Sequence, residues 1–95
     1  MLNENKIKHY KITVSGTVRE MALALRSLKT ANDLNIYGKA TYKSDNVLEI
    51  FAEGKEESLN QFIYWCRQLR EEPGISTIEV STGAVKPFKE FEMNL

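Results

Sequence analysis

KHYKITVSGTVREMALALRSLKTAN, residues 8–32, changes its apolar period once, after Gly16. From Lys8 to Ser15 the residues alternate, with Tyr10, Ile12 and Val14 on one side and His9, Lys11 and Thr13 on the other, the period of a half-buried strand. Past Gly16 the residues Met21, Ala24, Leu25, Leu28 and Ala31 recur at helical spacing, forming one apolar stripe on a helix that ends near Asn32. A strand feeding a helix so directly, in a chain of 95 residues, points to one small layered domain over residues 1–95.

The rest of the chain fits around that pair. Ile36–Tyr42 and Val47–Glu53 read as strands joined through Lys43, Ser44, Asp45 and Asn46, residues suited to a turn, and so form an antiparallel hairpin. A second helix follows. Glu56 and Glu57 lie in its first turn and Arg67 and Arg70 in its last, which complements the helix dipole, while Leu59, Phe62, Ile63, Cys66 and Leu69 form its buried face. Pro73 and Gly74 end it. Ile78 and Val80 then alternate with Thr77 and Glu79 in a fourth strand, and Phe88–Met93 alternates in a short last one. The order strand, helix, strand, strand, helix, strand predicts an α+β, ferredoxin-like βαββαβ sandwich: an antiparallel sheet with two helices on one face, plus a short C-terminal strand.

Composition narrows the setting. Hydrophobic residues at 42% and charged residues at 27% are ordinary for a globular domain, and no apolar run approaches the roughly 20 residues needed to span a membrane, so no membrane partner is expected. The polar residues 1–7 are expected to form a flexible tail, and with no secretion signal in them the chain is assigned to the cytoplasm. Thirteen basic residues balance thirteen acidic ones, which implies no overall pull toward nucleic acid. Cys66 is the only cysteine, with neither a disulfide partner nor a metal-ligand spacing; it is expected to be a buried thiol, and no metal or cofactor is expected.

The first turn carries more information than the fold. Val14-Ser15-Gly16-Thr17-Val18, leading into a helix, resembles the signature of the acylphosphatase family, Gly-x-Val-Gln-Gly-Val-x-Phe-Arg. Without gaps the resemblance continues through Ala31, Leu34, Gly38, Asp45, Ala52-Glu53-Gly54, Phe62 and Trp65. After two extra residues near the end of the second helix it resumes at Pro73-Gly74, Ile75, Ile78, Val80 and Phe91-Glu92. It implies hydrolysis of carboxyl phosphates without a metal: a phosphate cradled by the loop, an arginine that clamps it, and a strand-two asparagine that orients water. Here the arginine position falls on Ala24 and the asparagine position on Tyr42, while the loop's Gln and Gly fall on Arg19 and Glu20, and the variable position before its Phe, where the resemblance implies a Gly, falls on Ala22.

A methyl group cannot supply the paired, charge-assisted hydrogen bonds of a guanidinium, so the resemblance implies a domain without efficient acyl phosphate hydrolysis. No confident catalytic residue remains. The candidates for holding an anion are the loop residues Ser15, Gly16, Thr17, Val18, Arg19, Glu20 and Met21, at the mouth of the first helix, with Arg19 the substitute for the lost charge. Arg26 lies about 200° around the helix from Ala24 and is expected to be a surface arginine. Tyr42 is expected to pack its ring and close the old site. His9, sharing a strand face with Lys11 and Thr13, is expected to point to solvent. Tyr37, Val47 and Phe51 among Lys39, Glu49 and Glu53 are expected on an open outer sheet face, where a protein partner or a second copy has room to dock.

The leading expectation is therefore a hydrolytically weakened acylphosphatase-like domain whose retained surface binds an anion or a protein. One alternative is an active acylphosphatase that takes phosphate or an acyl phosphate in a non-standard loop. Another is single-stranded RNA binding through the open sheet face, against which stand the zero net charge and the absence of a basic, aromatic-rich signature.

Overall fold

Alternation carries β1 over Ile7–Gly16, and its inward side chains Ile12 and Val14 are fully buried. The computed structural model describes residues 6–94. Ile7 is thus not part of a tail: it pairs with Lys55 across the sheet, while residues 1–5 of the expected tail lie outside the described residues.

α1 covers Leu23–Asp33 and turns Leu23, Ala24, Ser27 and Ala31 inward. Buried Ser27 satisfies its hydroxyl by donating to the Leu23 C=O at 2.8 Å, the usual escape for a serine inside a helix. The helix closes on Asn35, in the left-handed region at φ 59°; the Ile36 N–H returns to the Ala31 C=O and the Asn35 N–H to the Asn32 C=O. That is the Schellman arrangement, with Ile36 packed into the core just beyond it.

β2 (Tyr37–Ser44) and β3 (Val47–Lys55) form the expected hairpin, and α2 (Glu56–Gln68) continues into a 3₁₀ turn over Leu69–Glu71 before Pro73 and Gly74. β4 (Ile75–Gly83) and β5 (Phe91–Asn94) complete a sheet of order β4-β1-β3-β2-β5. All neighbours are antiparallel except β5, which runs parallel to β2 from Gly38↔Phe91 to Thr41↔Asn94. The last strand also begins later than its alternation suggested, because Phe88 directs its N–H to Glu53 instead of a neighbouring strand.

Both helices cover one face of this ferredoxin-like sandwich. Ile12, Val14, Leu48, Ile50 and Ala52 of the sheet meet Leu23, Ala31, Leu59, Phe62 and Cys66 of the helices in one core. Cys66 is buried as expected, and loss of solvation pushes its thiol pKa up to about 12, against a smaller opposing pull from Arg67.

The outer face is not open along its whole length. Residues 84–90, joining β4 to β5, cross it, and this corrects two expectations. His9 is 4% exposed rather than solvent-facing, and Glu53 is 1% exposed rather than part of an exposed strand. The His9 Nδ1 lies 2.8 Å from Glu53 Oε2, and Phe88 stacks over the imidazole. The reason is non-local. Strand alternation tells which side a residue faces, whereas a distant segment decides whether that side meets water.

Candidate active site

The loop between β1 and α1 is shaped by close backbone contact. At Gly16, φ is 144° and a Cβ would stand 2.0 Å from the Gly74 carbonyl oxygen, so a side chain there would push the loop off the turn after α2. The Thr17 N–H donates to that same carbonyl at 2.9 Å, and the Gly16 N–H donates to Asn46 C=O at 2.9 Å. Val18 drops into the core. The chain then climbs into α1 through Ala22, at φ 52° and ψ 42°, an unusual conformation for a residue with a Cβ.

Most of the candidate anion donors have acceptors inside the protein. The Met21 N–H donates to Thr17 C=O, the Ala22 N–H to Arg19 C=O, and the Leu23 N–H to Val18 C=O, at 3.0–3.1 Å. The Arg19 N–H makes a longer bond to Asp45 C=O at 3.4 Å. Ser15 is occupied in the sheet, opposite Val47 and Thr77. Glu20 is exposed, a negative charge at the rim.

The two positions where the family resemblance expects an arginine and an asparagine meet each other. Ala24 is fully buried in the core, and its N–H donates to the hydroxyl of Tyr42 at 3.0 Å. Tyr42 thus reaches from the end of β2 to the first turn of α1. Arg19 lies over the Tyr42 ring, with its guanidinium carbon 4.4 Å from the centroid, and its Nε pairs with Asp45 Oδ1 at 2.9 Å. A shallow pocket of about 360 Å³ beside this cluster is lined by Thr17, Arg19, Glu20, Asp45 and Asn46. Its one cation faces two carboxylates, a poor field for a phosphate dianion. Among the described residues no group of three or more His, Cys, Asp or Glu is placed to hold a metal ion.

Arg26 points elsewhere, as the helical angle required. It grips Glu72 with both terminal nitrogens, Nη1 to Oε1 at 3.1 Å and Nη2 to Oε2 at 2.6 Å, tying α1 to the segment after α2. The hydrogen bond from Arg26 holds the Glu72 carboxyl below the usual carboxylate range. Sequence reasoning missed Glu72 and Asp45 as partners, since neither pairing follows from spacing along the chain. The Ala52-Glu53-Gly54 match was the one sequence sign that Glu53 is more than an exposed strand residue.

A βαββαβ sandwich with a tight, glycine-anchored loop entering its first helix defines a small class of domains, and within it the comparisons are specific. The acylphosphatase family model matches residues 10–93. Among known proteins, an acylphosphatase of Legionella pneumophila is 32% identical over 78 residues, covering 82% of both chains, and one of Deinococcus radiodurans is 29% identical over 80 residues, covering 84% of this chain and 92% of its own. The chain belongs to the acylphosphatase family. Among solved structures, the acylphosphatase from Coxiella burnetii superposes with a TM-score of 0.81 at 24% identity over 95% of this chain, which supports the fold. Full-length HypF in its phosphate- and nucleotide-bound form gives a TM-score of 0.81 at 26% identity, this chain matching 12% of its length. No helix among the described residues is long and apolar enough to cross a membrane.

Proposed function

We propose that this chain is a family member without efficient acyl phosphate hydrolysis, in which the catalytic loop has become an internally closed structural element. The observation that carries the reading is the bond from the Ala24 N–H to the Tyr42 hydroxyl, because it joins the positions where the family resemblance puts the phosphate-clamping arginine and the water-orienting asparagine. A fully buried methyl group stands in for the guanidinium, and a phenol fills the space at the helix mouth. Arg19, the remaining cation, is engaged by Asp45 and by the Tyr42 ring. Loss of one positioned donor of this kind costs roughly a hundredfold to a thousandfold in rate, and here two positions have changed. The remaining role is binding through the retained surface.

Benzoyl phosphate turnover by the pure protein is the test. The expected result is a rate at or near the uncatalysed one, unchanged in Arg19→Ala. Turnover that Arg19→Ala abolishes would instead establish a non-standard enzyme. The paired substitution Ala24→Arg and Tyr42→Asn should raise hydrolysis above the parent, because asparagine vacates the volume into which the arginine must turn. A folded double variant with no gain would sink the assignment of these positions.

A further inference from the structure

Residues 84–90 are exposed apart from half-buried Phe88, yet they cross the outer sheet face in a defined path. Their attachment converges on Glu53. Its carboxylate accepts the backbone N–H of Lys86 and, at 3.1 Å, that of Phe88, while His9 Nδ1 holds it from β1 at 2.8 Å. Above it the Phe88 ring stacks on His9 with centroids 6.4 Å apart and planes within 14°, and Lys86 Nζ sits 4.6 Å from the Phe51 centroid. β5 follows, a strand of four residues paired to β2 alone and seated in the core through Phe91, whose ring meets Phe62 at 6.3 Å.

We propose that residues 84–94 form a clasp, latched on Glu53, that opens as a unit while the sandwich behind it stays folded. The remaining sheet order β4-β1-β3-β2 keeps both helices and nearly all of the core, so opening sacrifices the clasp contacts, the short pairing with β2, and the seats of Phe91 and Met93. A segment with short pairing and few buried apolar contacts belongs to the low-stability end of a fold. Opening also bares the outer edge of β2 and the face of Phe51, an unpaired strand edge able to template pairing. Glu53 governs the latch because donors converge on both of its oxygens. A glutamine keeps one carbonyl oxygen and sets its NH₂ against either the Phe88 N–H or the Lys86 and His9 donors. The charged and titratable groups around Glu53 on this face are His9 from β1 and Tyr37 from β2 directly opposite it, Lys11 and Lys39 one step along opposite Phe51, Lys55 two residues on in β3, and Lys86 of the clasp over Phe51.

Amide hydrogen exchange followed by NMR across low urea concentrations tests this on the intact protein. The amides of Phe91 to Asn94 should exchange faster than those of Ile12 and Ile50, with a much weaker urea dependence. Glu53→Gln should speed clasp exchange by about tenfold or more without steepening that dependence. Should Glu53→Gln fail to fold, acid titration of the wild type gives the same reading: the Lys86 and Phe88 amide protons should shift together with the Glu53 carboxyl carbon, and clasp exchange, corrected for its intrinsic rate, should rise over the same pH interval. Clasp amides sharing the rate and urea slope of Ile12 and Ile50 would overturn the proposal. So would clasp exchange indifferent to Glu53 in both experiments.

Discussion

Ala22 holds φ 52° and ψ 42° at the entry to α1, where the family resemblance places a glycine. The left-handed conformation costs a residue with a Cβ about 1–2 kcal/mol, while a glycine there loses about 0.4–1 kcal/mol through its freer unfolded chain. Ala22→Gly should therefore stabilise the protein by about 0.5–1 kcal/mol in urea denaturation, and a loss of stability would show that the loop conformation is not under strain. The sequence aligned the position but could not disclose its conformation, since an alanine in a helical run reads as helix. Tyr42 shows the opposite case. Its place at the end of a strand was legible, but its partner was not: the Ala24 N–H that its hydroxyl accepts lies 18 residues away and depends on how β2 meets α1.

Among the elements, α2 and the β2–β3 hairpin follow their periodicities closely because each is a local pattern completed by one buried face, whereas α1 starts at Leu23 and turns Leu23, Ala24, Ser27 and Ala31 inward, leaving Leu25, expected on its apolar stripe, 46% exposed. The outer face and the last strand were less legible. Alternation ran on through Phe88, but that residue's N–H is claimed by Glu53, so pairing with β2 starts only at Phe91. Arg26 was correctly placed on the polar side of α1, yet its bidentate grip on Glu72, 46 residues away, is a tertiary event. Both side chains are 38% exposed, so solvent screens the pair. A double-mutant cycle with Arg26→Ala and Glu72→Ala should give a coupling energy of about 0.5–1 kcal/mol that shrinks in 1 M salt. Coupling indistinguishable from zero at low salt would reduce the contact to a surface encounter and leave α1 held by its apolar stripe alone. On the other helix, buried Cys66, with its thiol pKa pushed up to about 12, should resist alkylation at pH 8 until the protein unfolds. Rapid labelling under native conditions would contradict the packing of α2.

At the scale of the whole molecule, acid is the condition that separates the structural charges from the rest, because 13 basic and 13 acidic residues leave no net charge near neutrality to strain the fold. Among the described residues, two carboxyls are held below their ordinary range. For Glu53, burial pushes upward but is outweighed by the N–H groups of Lys86 and Phe88 and by His9; for Glu72, the Arg26 hydrogen bond dominates. A depressed folded value means that the unfolded chain binds protons first. The stabilisation is complete above the ordinary carboxylate range and drains away as pH falls through the folded values, each differential proton contributing a slope of about 1.4 kcal/mol per pH unit. The urea midpoint should accordingly fall steeply from pH 5 to pH 3. The variant carrying Glu53→Gln and Glu72→Gln should start lower at pH 7 and decline less over that interval, since its amides cannot titrate. Parallel declines in parent and variant would mean that the acid sensitivity comes from other carboxyls, and that the Glu53 and Glu72 contacts contribute to stability without linking it to pH.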